Sequence, residues 1–300
     1  MIRRIKKGAF YLLFVLDSWV YIKKIPLLNK FKPGIGLGRL VRRVLFYPKK
    51  IINLLLVGGI YFETNIYGTK INMIDYGKRF DYYTHVSRGK IYEPALALQL
   101  KTLLKKYDSP TFIDIGAHYD YFTIYAGKLI GPRGHVISIE PHKKYYNRLL
   151  KNIQINGLKE NIRKFNLALS DKEGQANMEG WDERVLHEVG NGNVQVVTFD
   201  QLCKKENIRP DIIKIDVHGA EGKVLAGMSD TLKNKVSHLF CELHDDMLGY
   251  TINNIIQILE TAGLEVLEFT KHREVSGGKL VPISSDLLSH YDDRMLYARR

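Results

Sequence analysis

The chain has 300 residues, 45% of them hydrophobic and 26% charged, with a formal net charge of +13. That balance suits a folded chain of one large or two modest domains. Its two cysteines, Cys203 and Cys241, stand far apart without a CxxC or a Cys/His cluster, which excludes a disulfide framework and a structural zinc site and points to a reducing, cytoplasmic setting.

The charge is concentrated at the start. Residues 1–50 hold thirteen Lys/Arg against Asp17 alone, whereas residues 101–300 hold twenty-seven of each sign. A nucleic-acid enzyme needs positive charge around its cleft, so no nucleic-acid partner is expected. The run Ala9 to Leu16 follows basic residues but ends at Asp17 with no small-residue cleavage site, and it is too short to span a bilayer. Apolar patches alternating with Lys/Arg pairs over residues 1–50 fit a segment lying on an anionic membrane surface, peripheral at its inner face. They equally fit helices packed on the main domain with a solvated basic face.

Further along, Tyr61 to Asp75 alternates as a hairpin, and Glu93 to Tyr107 has leucines at helical spacing. Ser109-Pro110 marks a boundary between a basic, mainly helical extension (1–108) and the main domain (109–300). Strands are then predicted at Thr111–Ile115, His135–Glu140, Ile162–Asn166, Val194–Phe199, Asp211–Val217, His238–Leu243 and Leu264–Phe269. Helices are predicted at Phe122–Ile130, Lys144–Asn156, Glu221–Leu232 and Ile252–Ala262. Such alternation implies right-handed βαβ units, a doubly wound, mostly parallel sheet and an α/β fold.

Two strand ends carry binding chemistry. Phe112-Ile-Asp-Ile-Gly-Ala is an apolar strand ending in Asp114 and a turn at Gly116, where a helix N-terminus and a bare backbone can meet a ligand. Glu140, followed by Pro141, ends the next strand 24 residues after Gly116, near the offset at which an acidic residue accepts ribose hydroxyls. A nucleoside is therefore expected. No GxGxxG follows the first strand, which disfavours a nicotinamide-dependent oxidoreductase.

These runs, together with Leu149-Leu-Lys-Asn-Ile-Gln-Ile-Asn-Gly-Leu, Leu167-Ala-Leu-Ser-Asp-Lys-Glu-Gly, Val197-Thr-Phe-Asp, Ile213-Lys-Ile-Asp-Val-His-Gly-Ala-Glu and Cys241-Glu-Leu-His, closely resemble the FkbM family of S-adenosylmethionine-dependent methyltransferases. The resemblance implies a class I methyltransferase, Rossmann-like fold with a seven-stranded sheet whose last strand is antiparallel, with Tyr297 to Arg299 in the terminal hairpin. It implies S-adenosylmethionine as cofactor, with Asp114, Gly116 and Ala117 at its methionine end and His118 and Asp120 in the same turn. Glu140 and Pro141 would lie at the ribose and Ser170-Asp171 on the adenine side. The implied activity is methylation of a hydroxyl on a sugar, glycolipid or other small metabolite.

The family usually has Asn, Gly and Glu where this chain has His118, Asp120 and His218. Asp120 either caps the following helix or weakens cofactor binding, and in the second case the chain would be a scaffold that keeps the fold without catalysis. Asp216, His218, Glu221 and His244 are candidates for taking the acceptor's proton, being carboxylates and imidazoles at or after strand ends. Asp216, His218, Glu242 and His244 also offer oxygen and nitrogen ligands for a divalent cation, but spacing alone fixes no geometry, so no metal is assigned.

Overall fold

The computed structural model describes residues 60–75, 86, 89–118, 120–178, 186–188, 192–244, 249–274, 278–289 and 294–300. The basic arm over residues 1–50 lies outside them. Among the described residues no helix is long and apolar enough to cross a membrane. The described residues of Glu63–Met73 and Phe80–Arg300 belong to the larger of the two units into which the chain divides.

A hairpin of β1 (Ile60–Ile66) and β2 (Thr69–Asp75) turns at Tyr67-Gly68. Both residues have positive φ (46° and 87°), a conformation that glycine adopts without a Cβ penalty. Asn72 is tied to Asn156 by reciprocal bonds: its N–H donates to Asn156 Oδ1 (2.9 Å) and its carbonyl accepts from Asn156 Nδ2 (2.7 Å). Helix α1 (Pro94–Leu104) follows, assigned by sequence to the extension but packed against α2 (Tyr121–Ile130) within the larger unit.

The large sheet contains β3 (Thr111–Ile115), β4 (His135–Ile139), β5 (Ile162–Phe165), β10 (Ile212–Ile215), β11 (His238–Leu243), β12 (Glu265–Thr270), β13 (Lys279–Val281) and β14 (Arg294–Arg299). Their order is β13-β12-β14-β11-β10-β3-β4-β5. Seven of these are the strands expected, with β14 antiparallel to both β11 and β12, and the short β13 adds an eighth at the edge. Among the helices between them are α2, α3 (Lys143–Ile155), α5 (Glu221–Ala226), α6 (Ser229–Asn234) and α7 (Ile252–Thr261). Ile113, Ile115, Ile137, Ile139, Ile213 and Ile215 are all buried in the core. Central strands covered on both faces read as continuous apolar runs, which makes them legible in sequence.

Three expectations need correction. The predicted strand Val194–Phe199 stops at Val197 as β9 (Val194–Val197) and does not join the large sheet. It belongs to a second sheet, ordered β6-β9-β7-β8, with β6 (Ala168–Leu169), β7 (Gly174–Met178) and β8 (Leu186–Glu188). Phe199 instead opens α4 (Phe199–Glu206), because Thr198 and Gln201 form a capping box that closes the first turn. The helix predicted over Glu221–Leu232 is two helices, parted at Gly227, where a Cβ would stand 2.0 Å from the Ser170 carbonyl oxygen.

Candidate active site

Chain order sends β4 and β5 to one side of β3, and β10 and β11 to the other. The crevice where the order reverses, at the carboxyl ends of β3 and β10, is where open α/β sheets bind ligands. The chain approaches itself closely here. A Cβ on Gly116 would lie 1.9 Å from the Asp216 carbonyl oxygen, and Gly116 has φ 79°, so glycine is required on both counts. Gly116 and Ala117 donate backbone N–H bonds to the Ile139 carbonyl (3.0 and 3.1 Å), docking the β3 turn onto β4.

Beside that turn lies an apolar pocket lined by Gly116, Ile139, Pro141, Leu169, Met178 and Val217, among others. Glu140 clamps the neighbouring turns: Oε2 accepts from the His118 N–H (2.7 Å) and Oε1 from the His142 N–H (2.8 Å). Burial pushes its carboxyl up to about 7, against these two bonds. Ser170 and Asp171 are not part of this lining. Ser170 is buried, with its hydroxyl donating to Asp171 Oδ1 (3.0 Å).

Asp114 and Asp120 turn away from the pocket. The Asp114 carboxylate accepts from Thr123 Oγ1 of α2 at 2.6 Å, and burial raises its pKa. Asp120 occupies the N-cap position of α2 but makes no side-chain cap bond, contrary to the capping expectation. Its φ of 66° swings the side chain inward, where Oδ1 accepts from Asn152 Nδ2 (3.2 Å) while the buried Oδ2 has no hydrogen-bond partner. Burial raises its pKa well above the usual carboxylate range. His118 also has positive φ (46°), and its ring packs edge-on against Tyr145 with centroids 4.2 Å apart.

The ends of β10 and β11 bring Asp216, His218, Glu221 and His244 together. Glu221, fully buried at the start of α5, accepts from the Gly219 N–H through both oxygens (3.1 and 3.0 Å) and from the Val217 N–H (3.3 Å). Its Oε1 also lies 2.9 Å from His244 Nδ1. A carboxylate only accepts, so Nδ1 of His244 carries hydrogen and its Nε2 faces His218 Nδ1, 3.0 Å away. Asp216 pairs with the buried Lys214 (2.9 Å). Burial opposes ionisation of Asp216, but Lys214 and the two imidazoles outweigh it and hold the carboxyl far below its ordinary value. Burial likewise works against the charge of Lys214, and Asp216, Glu93 and Asp114 more than offset it.

Glu242 does not join this group. It is directed to Arg273, and burial pushes its carboxyl up to about 9. Sequence reading missed Lys214 and Arg273. The signal for Lys214 was a lysine inside the otherwise apolar run Ile212-Ile-Lys-Ile, which is tolerated only with a buried partner.

A mostly parallel sheet whose strand order reverses beside an apolar pocket, a buried carboxylate and a glycine at backbone contact is the arrangement at which doubly wound α/β proteins bind nucleotides. The methyltransferase FkbM domain model matches residues 114–266, and the chain belongs to that family of S-adenosylmethionine-dependent methyltransferases. Its residues fit that cofactor: Gly116 lets the β3 turn and the end of β10 close onto each other at the sheet edge, and Glu140 offers a carboxylate beside Pro141 of the pocket lining.

No curated protein matches the chain in sequence. Among solved structures, it is similar to the methyltransferase FkbM from Methylobacillus flagellatus KT (15% identity, TM-score 0.44), with 64% of this chain aligned. The aligned part spans 44% of that longer protein. A SAM-dependent methyltransferase from Agrobacterium tumefaciens aligns over 80% of this chain and 69% of its own (11% identity, TM-score 0.44). An O-methyltransferase from Bacillus cereus in complex with SAH aligns over 69% of this chain and 81% of its own (14% identity, TM-score 0.40).

Proposed function

We propose that the chain transfers a methyl group from S-adenosylmethionine to a hydroxyl oxygen of a sugar, glycolipid or other small metabolite. The observation that carries this reading is the Glu221–His244–His218 chain beside Asp216, which stands next to the Gly116 turn. Glu221 fixes the tautomer of His244, whose Nε2 then accepts Nδ1–H of His218, and Asp216 Oδ1, 3.9 Å from His218 Nε2, favours the pair in its protonated form. Displacement at a sulfonium methyl needs the acceptor oxygen held in line and its proton removed as the bond forms, and an anchored imidazole supplies the second requirement. The basic arm over residues 1–50 would bring such acceptors within reach at the cytoplasmic face of an anionic membrane, through electrostatic attraction that salt screens.

The test is incubation of the full chain with methyl-tritiated S-adenosylmethionine and glycan or glycolipid extracts. Label that resists mild base and is released as methyl iodide by hydriodic acid identifies an ether and supports the reading. Label released as methanol by mild base marks an ester and contradicts it. For the arm, deletion of residues 1–50 should abolish salt-sensitive sedimentation with anionic vesicles, and a full chain that ignores such vesicles at low salt would sink the membrane role.

A further inference from the structure

The imidazole pair has more acidic and nitrogenous company than a simple base needs. His218 Nδ1 and His244 Nε2 are 3.0 Å apart, and Asp216 Oδ1 lies 3.8 Å from His244 Nε2. One ligand atom from each of the three residues falls within 4.8 Å of the others. Asp216 Oδ1 is buried with no hydrogen-bond partner, although its sister oxygen is held by Lys214. A buried carboxylate oxygen left unpaired costs about 1–3 kcal/mol unless something meets it.

From this geometry we propose that Asp216, His218 and His244 bind a first-row divalent cation such as Zn2+, which replaces the proton shared by the two imidazoles. For metal–ligand bonds of about 2.1 Å, neighbouring ligand atoms stand roughly 3.0–3.4 Å apart. The imidazoles already have that spacing, and Asp216, whose Oδ1 is 3.8 Å from His244 Nε2 and 3.9 Å from His218 Nε2, has to move toward them. Two imidazoles with one carboxylate suit Zn2+, Mn2+ or Fe2+ better than Mg2+ or Ca2+, which prefer all-oxygen sites. The support behind the ligands also fits. Glu221 holds the far nitrogen of His244, fixing the ring and raising its basicity as a ligand.

Three protein ligands leave positions open on the cation. This extension rests on the methyl-transfer reading and moves the activation of the acceptor from the imidazole pair to the cation: an acceptor hydroxyl bound there would lose its proton to solvent more easily. Its oxygen then bonds to the methyl carbon as the carbon–sulfur bond breaks, giving the methyl ether and neutral S-adenosylhomocysteine. Acceptors with two adjacent oxygens, such as vicinal diols, are the class that two open positions would favour.

The test is calorimetric titration of metal-stripped full-length protein with Zn2+, repeated with Co2+ followed by visible absorption. One Zn2+ per chain is expected, with at least ~100-fold weaker binding in His244→Ala and in His218→Asn, the latter chosen because Asn tolerates the φ of 52° at that position. Glu221→Gln should weaken binding by about 10–100-fold. Absence of one-per-chain binding, or unchanged affinity in both histidine variants, overturns the site. S-adenosylhomocysteine titrated into the same unmodified protein separates the two readings: its failure beside intact Zn2+ binding would sink methyl transfer and leave the cation site standing.

Discussion

Replacing Asp120 by glycine should stabilise the protein, which is unusual for a buried position. Asp120 has φ 66°, and its Oδ2 is buried without a hydrogen-bond partner. Relief of left-handed strain is worth about 1–2 kcal/mol, and removing an unsatisfied buried oxygen about 1–3 kcal/mol. Against these stand the lost bond from Asn152 at about 1 kcal/mol and the extra freedom of an unfolded glycine at about 0.5–1 kcal/mol. The terms sum to a gain of about 0–3.5 kcal/mol, centred on about 2 kcal/mol, which is a rise in Tm of roughly 4–8 °C at the centre for a domain of this size.

The pH dependence gives a second signature. The folded pKa of Asp120 is raised, so its contribution to stability is fully present below the unfolded value of 3.8 and is lost as pH rises through the folded value. The advantage of Asp120→Gly should therefore grow with pH, and Asp120→Asn, which keeps the shape without the charge, should share the trend. Urea unfolding of the three proteins across pH is the assay. A glycine variant less stable than the parent at every pH, or an advantage that does not change with pH, would refute the reasoning.

Other perturbations probe neighbouring parts of the site. Gly116→Ala places a methyl group 1.9 Å from the Asp216 carbonyl oxygen and should abolish S-adenosylhomocysteine binding while lowering Tm, so binding within a few-fold of the parent would contradict the close approach. With Glu140 titrating at about 7, cofactor affinity should rise between about pH 6 and pH 8 as the carboxylate forms, and Glu140→Gln should flatten that rise. In the free protein the same raised pKa works in the opposite direction: the stabilisation from Glu140 is full below the unfolded value of 4.5 and lost as pH climbs through 7. Lys214→Met strands the Asp216 charge in the interior and should cost about 3–5 kcal/mol, most of it recovered in the double variant Lys214→Met/Asp216→Leu. Failure of the double variant to recover would show that the loss of Lys214 is felt chiefly at Glu93 and Asp114, carboxyls that also face it.

How much of this was legible beforehand depended on the kind of signal. The central strands were readable because burial on both faces demands largely apolar runs such as Ile212-Ile-Lys-Ile, and Gly116 and Glu140 followed from where such runs end. Phe199 misled because Val194-Gln-Val-Val-Thr-Phe alternates like a strand, while the Thr198/Gln201 pair that starts a helix was present but outweighed. The break at Gly227 depends on the Ser170 carbonyl, which is distant in sequence, so no local pattern could supply it. Asp120, Asp114 and Glu242 were placed on the right turns and strands, but which way each carboxylate points is decided by partners on other elements, namely Asn152, Thr123 and Arg273. His218 and His244 were separately visible as imidazoles near strand ends, and their contact arises from the β10–β11 pairing.

The central claim is that the turn after β3 and the carboxylate at the end of β4 hold a sulfonium nucleoside. Calorimetric titration of the purified, folded chain with S-adenosylhomocysteine measures this most directly. The account predicts saturable binding of one molecule per chain, lost in Gly116→Ala and weakened in Glu140→Gln. Folded protein that takes up no S-adenosylhomocysteine, or takes it up equally well in both variants, would contradict it.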